Sequence, residues 1–281
     1  MSLTDAQWAR IEPLLPDRTP KRGGRWRDHR QVIDAIAFKY RTGTPWMDLP
    51  EHFGSWKGAH NRLRKWATDG TWEKVFTALL AQADAEGDLD WVVAVDSTVV
   101  RAHQHAAGAR LKGAPTDERD HHALGRSRGG LTTKIHLAAD SRCRPLALVL
   151  TPGQAGDAPA FTQVMARLRV PRPTGRPRTT PEVVLADKAY SSRAIRAHLR
   201  RRGVRAVIPQ PADQTANRKR RGSHGGRPPA FDRDAYKQRN TVERCINKLK
   251  QRRGLATRYD KTATIYQAAL HLAGIFIWSA R

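Results

Sequence analysis

The spacing of apolar residues divides the chain into a helical first third and a longer part with short, strand-like runs. Up to residue 88, apolar side chains recur every three or four positions, which predicts amphipathic helices. Thr4 precedes the first helix as a cap, and Ser55 precedes a later helix that carries the sequence HNRLRKW. Two short helices with a tight joint and basic residues on the second resemble a helix-turn-helix. We therefore expect residues 1–88 to form a small all-helical domain.

From residue 89 the pattern changes to short, β-branched apolar runs separated by helical segments. Five strands are predicted, at 91–100, 131–140, 145–151, 182–187 and 204–208. The second and third are expected to form a hairpin, since only four residues join them. Helices precede the fourth and fifth strands, so the chain should build an α/β fold with a mixed five-stranded sheet and helices on both faces. This is the element order of the ribonuclease-H-like fold.

The last third of the chain adds three predicted segments. A polar, basic loop is expected at 214–229, followed by a long helix from 234 to about 253. We assign residues 89–258 to one domain that includes this loop. The C-terminal segment 259–281 has the apolar spacing of a helix, which we expect to dock on the sheet, with a dimer contact as the alternative.

Charge changes this picture more than overall composition does. The chain has 51 Lys and Arg against 26 Asp and Glu, a net charge of +25. Residues 1–90 carry 14 basic and 13 acidic side chains, so +24 lies in residues 91–281. Such a surface predicts a polyanionic partner, most commonly nucleic acid, and argues against enzymes of small metabolites. Most charge runs are merely solvated, but we expect the following run to track a phosphate backbone: Arg218, Lys219, Arg220 and Arg221.

Composition excludes several other classes of protein. With 39% hydrophobic residues and eight Trp, the chain can bury a core, so global disorder is not expected. Two cysteines are too few for a disulfide framework, which fits a reducing compartment. The N-terminus lacks the pattern of a signal peptide, and the longest apolar run, 268–278, is far shorter than the ~20 residues of a membrane span. We expect a soluble, cytoplasmic protein without a membrane partner.

The helix after Ser55 carries candidate sequence-reading residues. Arg62 and Lys65 are three positions apart and share a face, with His60 and Asn61 nearer the start of the helix. These four side chains are candidates for contact with DNA. An ordinary helix with a solvated basic face is an equally good interpretation. The Trp residues of this region are expected to anchor the core rather than to stack on bases.

Two aspartates directly follow buried strands. Asp96 comes after the run WVVAV and Asp187 after EVVLA. If the two strands are parallel neighbours, these carboxylates converge at the edge where open α/β sheets bind ligands. The alternative is that each aspartate only caps the turn after its strand.

A third acid, Glu243, lies on the long predicted helix. At about 100° per residue, it shares one stripe beside the apolar face with Tyr236, Arg239 and Lys250. Such a stripe can bind a metal ion through its glutamate and a phosphate chain through its basic residues. The alternative is a solvated ion pair between Arg239 and Glu243, worth only ~0.3 to 0.5 kcal/mol.

Three carboxylates suit a particular kind of chemistry. Hard cations such as Mg²⁺ and Mn²⁺ prefer oxygen ligands. Two such ions, roughly 3.5 to 4 Å apart, activate the attacking oxygen and neutralise the leaving oxygen in phosphodiester cleavage. Because three like charges repel each other without metal, we expect the metal-free site to be strained and loose.

The same residues carry a resemblance to a known family. Tyr236, two residues, Arg239, three residues, Glu243, six residues, Lys250 is similar to the signature of bacterial insertion-sequence DDE transposases. VDSTVVRAHQHAAGAR, GRSRGGLTTKIH, ADKAYSS and RNTVERCINKLKQRRGLATRYDK resemble the insertion-sequence-five family in particular, as do the N-terminal LTDAQW and WMDLPEHFG segments. The resemblance covers nearly the whole chain.

The resemblance implies a ribonuclease-H-like fold and a set of roles. Asp96, Asp187 and Glu243 match the metal-binding catalytic triad, which implies two Mg²⁺ or Mn²⁺ ions. Tyr236 and the two basic residues of the signature match accessory residues around the glutamate. The implied reaction is attack of water at the end of the element, followed by attack of the freed 3′-OH on target DNA. Implied partners are double-stranded DNA, as terminal inverted repeats and target, and further copies of the chain in a homodimer or larger synaptic complex.

Two other functions remain open on sequence alone. A catalytically silent DNA-binding regulator descended from a transposase would be favoured by loss of a triad residue, and none is lost. A ribonuclease-H-like nuclease without strand transfer would not need the N-terminal helices.

Four histidines between the first two strands invite a zinc interpretation. They are His103, His105, His121 and His122, and their spacing matches no zinc pattern. A polar loop is the better interpretation, although His103 is a candidate to approach the carboxylates. We expect residues 112–130 to be mobile until DNA binds.

Overall fold

The computed structural model describes residues 2–19, 26–111 and 120–280 of the chain. Its first part contains the helices α1 (Asp5–Ile11), α2 (His29–Thr42), α3 (Trp56–Thr68) and α4 (Thr71–Ala85). Thr4 caps α1 as predicted: its hydroxyl accepts from the Gln7 amide, and the Gln7 side chain accepts from the Thr4 amide. Helix α3 begins after Ser55 as predicted, without a side-chain capping bond from that serine. Between α2 and α3 the chain forms two short 3₁₀ turns, Trp46–Asp48 and Glu51–Phe53, where the sequence predicts the first of the two short helices.

The described part of the chain contains one sheet of seven strands. They are β1 (Val92–Ala102), β2 (Gly125–Ser127), β3 (Gly130–Ala139), β4 (Pro145–Pro152), β5 (Val183–Ala186), β6 (Arg205–Val207) and β7 (Thr257–Arg258). The five predicted strands correspond to β1, β3, β4, β5 and β6. The predicted count of five was therefore low by two short strands. Strands β2 and β7 are three and two residues long, and their sequences, GRS and TR, contain no apolar run.

The order of the five strands that were predicted is β4-β3-β1-β5-β6. Strand β3 is antiparallel to both β1 and β4, which confirms the predicted hairpin, whereas β5 is parallel to β1 and β6 is parallel to β5. Val95 pairs with Ala186 at the end of the β1–β5 register. Asp96 and Asp187 are the next residues on these two neighbouring strands, as the parallel arrangement requires.

Helices cover the sheet and fill the connections between strands. They are α5 (Gln104–Ala107), α6 (Asp157–Arg167), α7 (Arg193–Arg201), α8 (Ala212–Arg220), α9 (Arg233–Lys237), α10 (Asn240–Lys250), α11 (Arg253–Ala256) and α12 (Ala263–Ser279). The prediction of one long helix at 234–253 was wrong, since α9, α10 and α11 divide this segment. Only α10 carries a long buried stripe of apolar side chains, whereas α9 buries none. This stripe of α10 packs against β1 and β3, whereas α11 packs mainly against α2.

The predicted basic loop at 214–229 was also partly wrong. Nearly half of it, residues 214–220, belongs to α8, and a 3₁₀ turn, Gly222–Gly225, follows. Helix α8 buries no residue completely. The sequence of α8 therefore lacks the apolar periodicity that predicts a helix.

The C-terminal helix α12 joins the first part of the chain to the sheet. It contacts β4, as predicted for docking on the sheet, and it also packs against α3 and α4. The Trp278 indole donates to the Pro145 carbonyl at 2.7 Å, and Gln7 on α1 donates to the Phe276 carbonyl. One apolar core thus runs through both parts of the chain, and the domain boundaries near 88 and 258 stay a prediction. None of the described helices is long and apolar enough to cross a bilayer.

Candidate active site

Asp96 lies inside β1 rather than at its end. The strand continues to Ala102, close to the end predicted at residue 100, so Asp96 does not follow the strand, but the pairing of β1 with β5 stops at Val95. Asp96 is thus the first residue of β1 beyond the β5 register. Its Oδ1 accepts a hydrogen bond from the Ser97 amide at 2.8 Å, and its Oδ2 accepts one from Arg239 at 3.0 Å. The carboxylate is therefore fixed from two sides.

Asp187 directly follows β5 and begins a 3₁₀ turn. Its Oδ1 accepts a hydrogen bond from the Ala189 amide at 2.9 Å, so this aspartate does cap its turn. Although Asp187 caps this turn, its carboxylate still lies beside that of Asp96. Burial raises the pKa of Asp96 above its ordinary value and the Asp187 charge adds to this rise, while the Ser97 amide and Arg239 oppose it. The two carboxylates are therefore electrostatically coupled, as neighbours on parallel strands should be.

Arg239 connects two of the three predicted acids. It lies at the N-cap of α10, donates to Asp96 and donates from its other terminal nitrogen to Glu243. Burial works against the charged guanidinium, but Glu243 and Asp96 raise the pKa of Arg239 above its ordinary value. The Arg239 side chain is only 20% exposed. The Arg239–Glu243 contact is thus part of a bridge to the sheet, and not the simple solvated pair of the alternative interpretation.

The three acids match a hard cation in type, but they do not form a closed cage. Within the described ranges, no three Asp, Glu, His or Cys side chains lie close enough together to hold a metal ion. Asp96 and Asp187 are adjacent, whereas Glu243 is turned towards Arg239. The all-oxygen donor set fits Mg²⁺ or Mn²⁺. Completing a three-carboxylate site requires Glu243 to exchange its arginine partner for the cation.

The other two members of the predicted stripe are separated in the structure. Lys250, the last residue of α10, donates to Thr98 Oγ1 at 2.6 Å and to the Val99 carbonyl at 3.2 Å, and burial lowers its pKa. Side chains two positions apart share a strand face, so Lys250 contacts the face of β1 that carries Asp96. Tyr236 lies on α9, before the break, with its ring 5.2 Å from that of Phe231.

A polar network that was not predicted from the sequence lies next to Asp96. Ser97 Oγ lies 2.6 Å from Asp157 Oδ1, and Lys134 Nζ donates to the same oxygen at 3.1 Å. His136 is paired with Ser97 across β1 and β3, and its Nδ1 lies 3.9 Å from Asp157. Alternating polar residues in an otherwise apolar strand, Lys134 and His136, were the available signal. The network anchors β1 at the residue after Asp96.

The structure corrects the role of Arg62 on α3. Its side chain is buried, with the guanidinium over the rings of Trp26 and Trp66 at 4.3 and 5.0 Å and in contact with His29 Nδ1 at 2.6 Å. The prediction that Arg62 belongs to an exposed DNA-contacting face was therefore wrong. Arg62 borders the apolar stripe of α3, and its guanidinium packs against the two tryptophan rings in the interior.

The remaining candidates on α3 are more accessible. Asn61 and Lys65 are exposed, and the Lys65 ammonium lies 4.4 Å from the Trp26 ring. His60 is half-buried with its ring 5.3 Å from that of Trp46. Contact of these three side chains with DNA stays a prediction.

The basic run lies at the end of α8 and not in a loop. Lys219, Arg220 and Arg221 are exposed, whereas Arg218 is half-buried. In the structure α8 also faces three arginines of α7 across a cleft, which was not predicted from the sequence. The spacing of basic residues on α7, in SRAIRAHLRRR, was the signal for it.

His103 packs away from the carboxylates. Its ring lies 4.6 Å from that of His105 and 4.8 Å from that of Tyr259. The predicted polar loop begins instead with helix α5. Residues 112–119, within the segment predicted to be mobile, and the His121 side chain lie outside the described part of the chain.

Two family models match the chain. "Putative transposase of IS4/5 family" matches residues 3–76, and "Transposase DDE domain" matches residues 87–278. "Putative transposase for insertion sequence element IS6501" of Brucella ovis is 31% identical over 53% of this chain and 98% of its own length. "Insertion element IS402 uncharacterized 16.2 kDa protein" of Burkholderia cepacia is 36% identical over 42% of this chain and 84% of its own length.

A solved structure described as "Mos1 transposase paired-end complex with left transposon end" shares 14% identity, with a TM-score of 0.25, over 83% of this chain and 82% of that chain. The DDE-domain match alone spans well over half of the 281 residues and includes all three acids. The chain therefore belongs to the DDE transposases of insertion sequences and is an enzyme of that family.

Proposed function

We propose that this transposase binds the ends of its insertion element, hydrolyses a phosphodiester bond there and transfers the freed 3′-OH to target DNA. The observation that carries the proposal is the Arg239 bridge, which connects the third acid, Glu243, to the two neighbouring aspartates at one edge of the sheet. Asp96 and Asp187 occupy neighbouring parallel strands, and Arg239 ties Glu243 to Asp96. The strand order β4-β3-β1-β5-β6 with only β3 reversed supports a ribonuclease-H-like fold.

Asp96, Asp187 and Glu243 would hold the catalytic cations, which we propose to be two Mg²⁺ or Mn²⁺ ions. When bound, such ions acidify the attacking oxygen and offset charge on the leaving oxygen. Arg239 donates hydrogen bonds to both Asp96 and Glu243, and its positive charge between them limits repulsion between the like charges. Asp157 and Lys134, through Ser97, hold the backbone of β1 at the residue next to Asp96.

Side chains around the acids would position the DNA strand. Arg239 and Lys250 present cationic groups along α10, where a phosphate can replace part of their present contacts. Tyr236 on α9 completes this accessory set. Base readout is assigned to the helix-turn-helix-like first part of the chain, through Asn61, Lys65 and His60 on α3.

The assembly and its location are proposed on chemical grounds. Joining two element ends requires two active sites, so we propose a homodimer or larger synaptic complex on double-stranded DNA. The DNA of a bacterial host lies in the cytoplasm, and we place the reaction there.

A strand-transfer assay tests this function. The purified full chain is incubated with duplex DNA that carries the inverted repeats flanking its gene, a labelled target plasmid and Mg²⁺, and both nicked and joined products are scored. The proposal predicts nicks at the element end and covalent joining to the target. Nicks without joining would indicate a nuclease, and tight binding without nicks would indicate a silent regulator; either result would overturn the proposed function.

A further inference from the structure

A large cationic cleft lies between α7 and the segment that follows α8. The space in it measures about 730 Å³. Six arginines line it: Arg193, Arg196, Arg200, Arg218, Arg221 and Arg227. The described lining contains amide and hydroxyl side chains but no carboxylate. We call this feature the arginine cleft.

Local structure explains how so many arginines converge. Arg193, Arg196 and Arg200 are spaced by three and four residues, so they share one face of α7. On the other side, Gly225 packs against the Arg218 carbonyl so closely that any side chain at 225 would clash with it. This contact folds the 3₁₀ turn back onto α8 and returns Arg227 to the same cleft.

The charge of the cleft calls for a specific kind of ligand. No ion pair with a carboxylate is found for any of the six arginines in the described part of the chain. Like charges at this density repel each other and disfavour the compact state. A ligand with regularly spaced negative charges offsets that repulsion, and guanidinium groups bind phosphate oxygens through paired hydrogen bonds.

The position of the cleft relates it to the acids. Ser191 lines the cleft, its hydroxyl donates a hydrogen bond to the Gln214 side-chain oxygen on α8 at 2.9 Å, and it lies four residues after Asp187. Four residues span at most about 14 Å, and duplex DNA rises 3.4 Å per nucleotide along each strand. The near end of the cleft is therefore within about four nucleotides of a phosphate held at Asp187. From Arg193 to Arg200, α7 rises about 10 Å, the length of about three nucleotides.

We propose that the arginine cleft binds about three successive phosphates of the DNA strand adjacent to the scissile phosphate. This inference rests on the proposed function for the identity of the scissile phosphate. It also divides the basic run of α8: Arg218 and Arg221 line the cleft, whereas Lys219 and Arg220 do not.

Matched triple variants of the full chain test the cleft. Arg193→Ala, Arg200→Ala and Arg221→Ala remove three exposed charges from it, and Arg201→Ala, Lys219→Ala and Arg220→Ala remove three charges from the same two helices outside it. Affinity for fluorescent duplexes is measured over a range of salt, with element-end DNA and with unrelated sequence. The cleft variant should reduce the slope of log affinity against log salt by up to ~2.7, at ~0.9 per contact, for both duplexes. The control variant should change the slope by less than ~1.

Equal slopes in the two variants would overturn the proposal, because net charge alone would then explain binding. Equal circular dichroism spectra and unfolding midpoints establish that both variants fold.

Neutral phosphates locate the contacts. Methylphosphonates are placed one at a time in the element-end duplex on either side of the cut. Wild type should lose affinity at two or three successive positions on one side of the cut, the first of them within about four nucleotides, and the cleft variant should show no further loss there. If the loss caused by each methylphosphonate and the loss caused by the cleft variant added in full at every position, the proposed contacts would be contradicted. Failure of wild type to nick or join DNA would instead contradict the proposed function, so the two failures are distinguishable.

Discussion

The guanidinium of Arg239 donates a hydrogen bond to the carboxylate of Asp96 at 3.0 Å, although the two residues are 143 positions apart. The same guanidinium contacts Glu243. One cation thus joins the central strand of the sheet to the helix that carries the third acid. This arrangement limits the repulsion between carboxylates that the sequence alone would lead one to expect.

Replacing Arg239 by Gln should slow DNA cleavage by roughly 10- to 100-fold. Each charge-assisted hydrogen bond is worth about 1.5 to 3 kcal/mol, and its loss leaves Asp96 and Glu243 to repel each other. Cleavage of element-end DNA under kcat/KM conditions measures the effect. Arg244→Gln is the matched control, because Arg244 is exposed on the same helix. Similar rates in the two variants would argue against a role for the bridge.

Arg62→Ala should destabilise the protein by roughly 2 kcal/mol or more, because a desolvated cation between two tryptophan rings is lost. Arg64→Ala, an exposed neighbour on α3, should leave the free energy of unfolding within about 0.5 kcal/mol. Urea denaturation compares the two. A stable Arg62→Ala variant with weakened DNA binding would restore the original assignment of Arg62 as a DNA contact.

The buried His136 should make stability depend on pH. Burial lowers its pKa to about 4, with Asp157 opposing and Lys134 assisting, and its Nε2 lies 2.8 Å from Thr151 Oγ1. The ordinary pKa near 6.5 applies in the unfolded chain, so protonation favours unfolding as pH falls from 6.5 towards 4. The contribution of neutral His136 to the free energy of unfolding is fully present above pH 6.5, and it should be lower by roughly 2 kcal/mol at pH 5.

Urea denaturation of wild type and His136→Gln at pH 7 and pH 5 isolates this contribution. The variant should lose roughly 2 kcal/mol less than wild type between the two values. His224→Gln, at an exposed position, should behave as wild type. An unchanged pH dependence in His136→Gln would show that other groups control acid sensitivity.

The strands and the pairing of the first two acids could be predicted because buried β-branched runs depend little on tertiary context. Val95 and Ala186 lie in such runs, and their parallel register places the aspartates side by side. The break before α10 could not be predicted, since a helical wheel treats 234–253 as one helix, whereas burial stabilises only its middle. Burial of Arg62 also depends on Trp26, which comes from another segment of the chain.

The partners of the acids were equally hidden from the sequence. Helical spacing placed Arg239 beside Glu243, but its contact with Asp96 exists only after α10 packs on β1. The same holds for the arginine cleft, whose two walls are separate segments of the chain.

The central claim is that Asp96, Asp187 and Glu243 together perform metal-dependent DNA cleavage. The most direct test is nicking of element-end duplex in Mg²⁺ by Asp96→Asn, Asp187→Asn and Glu243→Gln, with binding of the same duplex measured in parallel. Each substitution keeps the size of the side chain and removes one negative charge. Each variant should bind the duplex about as tightly as wild type and should produce no nicks above background. Nicking at the wild-type rate by any one of the three would contradict the assignment of that residue.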